Sequence, residues 1–120
     1  MIQITPQMRI LLAVEPADFR KGIDGLARIC RKELEQAPFS GTLFVFRNRS
    51  AKALKLLTCD GQGFWLCQKR LSQGRFMWWP QTGEEGVYRV DPHQLHLLLW
   101  NGDPSIAQTA PIWRPVESTG

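Results

Sequence analysis

Apolar positions along this 120-residue chain fall into short runs separated by turn-forming residues. Arg9-Ile10-Leu11-Leu12-Ala13-Val14 is one such run, stopped at Glu15-Pro16, and reads as a buried strand. Ile23, Leu26, Ala27, Cys30 and Leu34 then recur at helical spacing, with Asp18 as the expected cap and Arg28, Arg31, Lys32 and Glu35 off the stripe. Thr42 to Phe46 carries apolar side chains in succession, the pattern of a central strand covered on both faces. Ala53–Cys59 and Phe64–Leu71 flank Asp60-Gly61-Gln62-Gly63 and predict a hairpin. A tight turn pairs Cys59 with Phe64, Leu57 with Leu66 and Lys55 with Gln68, so that Cys59 and Cys67 point to opposite faces. After a second turn at Ser72-Gln73-Gly74, Arg75–Trp79 reads as a further strand ended by Pro80. Val87–Val90 follows as a brief strand. Asp91-Pro92 marks a helix start, Leu95, Leu98 and Leu99 its buried stripe, and Asn101-Gly102 its end.

These elements predict a single α+β domain over residues 1–102. Its core is a mainly antiparallel sheet of roughly four to six strands, with one packed helix and a short C-terminal helix. Residues 103–120, with Pro104, Pro111 and Pro115 among small polar residues, read as a loose tail. Gly22 and Gly25 each weaken the first helix by about 1 kcal/mol relative to alanine, which points to close packing or the close approach of a partner.

Composition narrows the class. A hydrophobic content of 43% excludes wholesale disorder. No long uncharged apolar run is present, so neither a membrane span nor a signal peptide is expected. Cys30, Cys59 and Cys67 contain no CxxC pair and read as reduced, mostly buried thiols of a cytoplasmic protein. Charge is unevenly placed. Between Pro38 and Pro80 there are seven bases against the single acid Asp60; residues 1–37 have six against five and residues 81–120 two against five. The positive potential therefore belongs to the central strands.

The seven bases are Arg47, Arg49, Lys52, Lys55, Lys69, Arg70 and Arg75, interleaved with Phe64, Trp65, Phe76, Trp78 and Trp79. Cations neutralise phosphates and exposed aromatics stack on bases, so a basic sheet face touching DNA is the functional reading. The plain alternative is wet charges around an aromatic core. Trp78 and Trp79, adjacent on a strand, face opposite ways, which leaves one buried and one as a contact candidate for a partner. Arg20 and Lys21 lie at a helix start, either as part of an anion site with backbone N–H groups or as solvated side chains. His93 and His96 are three apart on the last helix, but no Cys or acidic pair at ligand spacing accompanies them, so no metal and no cofactor is expected. There is no phosphate loop, no GxSxG elbow and no triad of acids free to hold two metals, so no catalytic residue is assigned.

Several segments carry a resemblance. Ala17-Asp18-Phe19-Arg20-Lys21-Gly22-Ile23-Asp24-Gly25-Leu26, Pro38–Arg49 and Leu54-Lys55-Leu56-Leu57 resemble, in order and spacing, the TnpB-type accessory proteins of insertion-sequence family sixty-six. Asp60–Leu66, Lys69-Arg70-Leu71, Gly74-Arg75-Phe76, Trp79-Pro80 and Gln94–Leu99 continue the match from Ile10 to Gly102. This family is distinct from the RNA-guided nucleases that share the name. Cys59, Trp78 and Asn101-Gly102-Asp103 depart from its pattern.

The resemblance implies a small protein of a bacterial mobile element that assists transposition, with strand chemistry left to a separate transposase. Its polar motif positions here are Asp18, Arg20, Lys21, Gly22, Arg47, Arg49, Lys55, Asp60, Lys69, Arg70 and Arg75. The expected partners are DNA, or alternatively the element's transposase, docked through the exposed tryptophan and the tail without DNA contact. A cryptic hydrolase is the remaining reading and lacks a site.

Overall fold

The structure, a computed structural model, describes residues 8–32, 41–60 and 62–107. Five strands form one sheet: β1 (Arg9–Ala13), β2 (Thr42–Arg47), β3 (Ala53–Cys59), β4 (Phe64–Arg70) and β5 (Val87–Val90), in spatial order β4-β3-β2-β1-β5. The β1–β2 pair is parallel and bridged in sequence by α1 (Ile23–Lys32); the other pairs are antiparallel. α2 (Pro92–Leu99) and the single turn α3 (Pro104–Ala107) follow β5. The expected α+β architecture is what forms, with β2 in the middle.

Strand periodicity sends alternate side chains to opposite faces, and here both faces are covered. Phe44, Phe46, Leu11, Ala13 and Leu57 meet Leu26, Ala27 and Cys30 of α1. Leu43, Val45, Ile10, Leu12, Leu54 and Leu56 meet Leu95 and Leu98 of α2. The hairpin register pairs Cys59 with Phe64, Leu57 with Leu66 and Lys55 with Gln68, as the turn residues predict. Asp60 holds that turn, its Oδ1 accepting from the N–H groups of Gln62 (2.9 Å) and Gly63 (3.0 Å). Among the described residues no disulfide joins Cys30, Cys59 or Cys67.

Helix ends are set by local chemistry. Asp91 and Gln94 form a reciprocal capping box, with Gln94 N–H to Asp91 Oδ1 at 2.7 Å and Asp91 N–H to Gln94 Oε1 at 2.8 Å. Asn101, at φ 65°, ends α2: the N–H of Gly102 reaches Leu97 O at 2.7 Å and that of Asn101 reaches Leu98 O at 2.9 Å. Asp18 does not cap α1. The helix begins at Ile23, where Gly22 O accepts from Leu26 N–H at 3.0 Å, and Asp18 closes its own turn instead. Leu34 and Glu35 lie outside the described residues.

Arg75–Trp79 is not a strand. The segment crosses from β4 to β5 on the α2 face, where Phe76, Trp78 and Trp79 all pack against the same apolar cluster. Three aromatics bound for one core cannot keep a two-residue alternation, and their burial overrides strand geometry. The segment is tied down by Phe76 N–H to Ala51 O (2.7 Å), Met77 N–H to Asn101 Oδ1 (2.8 Å) and Trp79 Nε1–H to Ala13 O (2.9 Å). The start of the expected tail is also ordered: Pro104 is buried, and its carbonyl accepts from Gln94 Nε2 at 3.3 Å. Residues 108–120 lie outside the described residues.

Because Phe46 is fully buried at the sheet centre, Phe46→Ala is expected to lower unfolding free energy by about 3–5 kcal/mol. Trp100→Ala, at a side chain 83% exposed, is expected to lower it by less than about 1 kcal/mol. Urea denaturation of both variants checks the contrast, and equal losses would contradict the assignment of the core.

Candidate nucleic-acid interface

With both faces covered, the cations cannot share a sheet face. Most of them gather instead at one end of the sheet. Arg47 closes β2 opposite Leu54, and Arg70 closes β4 opposite Ala53, so the two strand ends and the 48–52 loop lie together. Asn48 organises that loop: its Oδ1 accepts from Lys52 N–H (3.0 Å) and Ala53 N–H (3.2 Å), and Ala51 takes φ 61° to close it. Leu71 N–H to Lys52 O (2.9 Å) and Phe76 N–H to Ala51 O bind the 71–76 loop to the first. Arg49, Lys52, Arg70 and Arg75 project from these joined loops and are exposed. Arg47 is half-buried, with Nη1 donating to Asn48 O at 3.3 Å and its guanidinium 5.9 Å from the Trp79 ring.

Two shallow clefts flank this end. One is lined by Lys52, Arg70, Leu71, Ser72, Gln73 and Gly74, with no acid among them. The other brings Asp18, Phe19 and Arg20 beside Asn48, Arg49 and Ser50. There Asp18 accepts from Arg20 N–H (3.0 Å), Nε (3.1 Å) and Nη2 (3.0 Å). That hydrogen bonding pulls the Asp18 carboxyl from 3.8 down to about 2. Arg20 is thereby matched to a neighbouring carboxylate, while Lys21 is exposed one residue on.

Two expected contact residues point inward. Lys55 is only 8% exposed; its Nζ donates to Phe19 O (2.8 Å), approaches Lys21 O (3.5 Å) and lies 5.0 Å from the Phe19 ring. It anchors the 19–21 segment to the sheet. Lys69 donates to Leu99 O at the carbonyl end of α2 and sits 5.2 Å from the Trp100 ring, a cation where the helix dipole favours one. Trp78 and Trp79 are both half-buried, Trp78 edge-on to Tyr88 at 5.7 Å. Among the described residues the most exposed large apolar side chains are Trp100 and Met77, at 83% and 79%, joined through Asn101, which bonds the 75–77 backbone. Trp100 was recoverable from its position off the Leu95–Leu98 stripe; the roles of Asn48 and Asn101 left no sequence signal beyond their turn propensity. His93 and His96 are exposed, and among the described residues no group of three His, Cys, Asp or Glu side chains could hold a metal. No helix among them is long and apolar enough to cross a membrane.

The folded-state pKa of Asp18 lies below its unfolded value, so its pairing with Arg20 is complete above about pH 4 and lost as pH falls through about 2. Carboxyl-detected NMR titration is expected to give Asp18 a midpoint near 2, returning toward 3.8 in Arg20→Gln. A wild-type midpoint near 3.8 would mean that the pair does not persist in solution.

Comparison with known proteins agrees with this arrangement of segments. Residues 8–107 match the family described as IS66 Orf2 like protein. Two relatives from Sinorhizobium fredii (strain NBRC 101917 / NGR234) are similar: uncharacterized protein y4hO at 39% identity and uncharacterized protein y4jC at 32%. Each alignment covers 92% of this chain and 92% of the relative. No solved structure matches. The chain belongs to the IS66 Orf2-like family and is an accessory protein of an insertion sequence.

Proposed function

We propose that this accessory protein assists transposition by holding element DNA at the basic end of its sheet. The observation that carries the proposal is the exposure of Arg49, Lys52 and Arg75 on two mutually hydrogen-bonded loops and of Arg70 at the strand end between them. Of the acids at this end, Asp18 lines the cleft beside Arg49 but is paired with Arg20, Glu15 lies in the turn after β1, and Glu84 and Glu85 lie before β5. A polyanion is therefore drawn to the β2–β3–β4 half. Contact is with phosphates: the tryptophans of the 76–79 segment are packed inward, and among the described residues no groove-reading helix is presented. Half-buried Arg47 stands behind these four cations, and Arg20, exposed but paired with Asp18, and exposed Lys21 lie on the neighbouring 18–21 segment. The protein holds DNA and leaves strand cutting to the separate transposase.

Four phosphate contacts give an expected slope of log affinity against log salt of about −3 to −4. Neutralising Arg49, Lys52, Arg70 and Arg75 together to glutamine is expected to flatten that slope and weaken binding at least about a hundredfold, with the fold intact by circular dichroism. Unchanged affinity and slope in that variant would refute the proposal.

A second reading rests on the exposed Met77–Trp100 pair, which offers an apolar anchor for the element's transposase. Co-purification with the transposase is then expected to fail for Met77→Ser/Trp100→Ala and to survive the four-glutamine variant. The reverse pattern would discard this reading.

A further inference from the structure

β4 ends the sheet, and among the described residues no strand pairs with its outer side. It is seven residues long, against four for β5 at the opposite edge. Its hydrogen-bond phase can be read from the two ends of the hairpin. Asp60 N–H donates to Gly63 O at 3.1 Å, and Leu71 N–H donates to Lys52 O at 2.9 Å. In the intervening register the odd-numbered residues of β4 turn their backbone groups to β3. Phe64, Leu66, Gln68 and Arg70 therefore present N–H and C=O to the open edge.

We propose that this edge pairs with the β4 edge of a second copy, antiparallel about a twofold axis at Cys67. The sequence of the strand is self-complementary in that register. Leu66 lies opposite Gln68 of the second copy and Phe64 opposite Arg70 of the second copy, both hydrogen-bonded pairs. Trp65 lies opposite Lys69 of the second copy. Both cations of the strand thus stand opposite aromatic residues and neither stands opposite its own kind, because the aromatics occupy one end of β4 and the charges the other. Registers shifted by two residues keep the phase but overlap fewer residues; odd shifts set unmatched backbone groups against each other. No charge sits at the middle of the strand, where a lysine would discourage edge pairing. The antiparallel arrangement also separates the two basic ends by the length of the strand, roughly 23 Å.

In this register Cys67 faces its counterpart in a non-hydrogen-bonded pair, with Cα atoms about 4.5 Å apart, within disulfide reach. Cys30 cannot compete: it is buried and its thiol is pushed up to about 12 by that burial. The interface is a single strand pair, so the dimer is weak and concentration-dependent.

Sedimentation velocity on the full chain without nucleic acid, from micromolar to sub-millimolar concentration, is expected to show a monomer shifting to dimer. Copper–phenanthroline, which accepts the two electrons released when two thiols join, is expected to give a reducible dimer band. That band survives Cys59→Ser and disappears in Cys67→Ser. In Gln68→Pro, which removes an outward N–H and no β3–β4 bond, the shift is expected to vanish. A monomer throughout the range, a band that depends on Cys59, or a folded Gln68→Pro that dimerises as before would overturn the proposal. If Gln68→Pro does not fold, the wild-type shift and the Cys67 dependence decide it alone. None of these results bears on DNA binding at the basic end.

Discussion

Leu43, Phe44, Val45 and Phe46 are consecutive in β2 and all fully buried, two against α1 and two against α2 and the 76–79 segment. A strand buried on both faces must sit mid-sheet and be covered by chain on each side, and the remaining elements answer that demand. α1 is the parallel crossover that covers one face. The aromatic segment and α2 cover the other. Once both faces are occupied, a charged side chain can reach water only at the ends or edges of the sheet, and the exposed cations are displaced there.

The displacement divides the cations by role. Arg49, Lys52, Arg70 and Arg75 leave the sheet at strand ends and enter water. Lys55 and Lys69, placed within strands, use long apolar stems to reach backbone carbonyls, Lys55 those of the loop before α1 and Lys69 those at the end of α2. These inward lysines brace the segments that border the basic end. The hydrogen bonds of Asn48, Lys52, Ala51, Leu71 and Phe76 fix the shape of the two loops and hold them together, which limits their conformational freedom. Among the described residues the same covering leaves the outer side of β4 without a paired strand, because the chain crosses from one edge of the sheet to the other over its face rather than along its margin.

The sequence by itself determined the five strands β1 to β5, the stripe of α1, the hairpin register, the start of α2 and the family. Each of these is set by local spacing or by a motif read along the chain: the unbroken apolar run of β2, the Asp60 turn, the Asp91-Pro92 helix start. Only the tertiary structure decided where the cations point. Lys55 and Arg70 share a face by alternation, yet one is buried under Phe19 and the other is exposed, because the loop before α1 covers the first and nothing described covers the second. The strand expected at Arg75–Trp79 failed for a related reason. Its aromatics are placed by the cavity between the sheet and α2, a long-range constraint that a reading of neighbours in sequence does not contain.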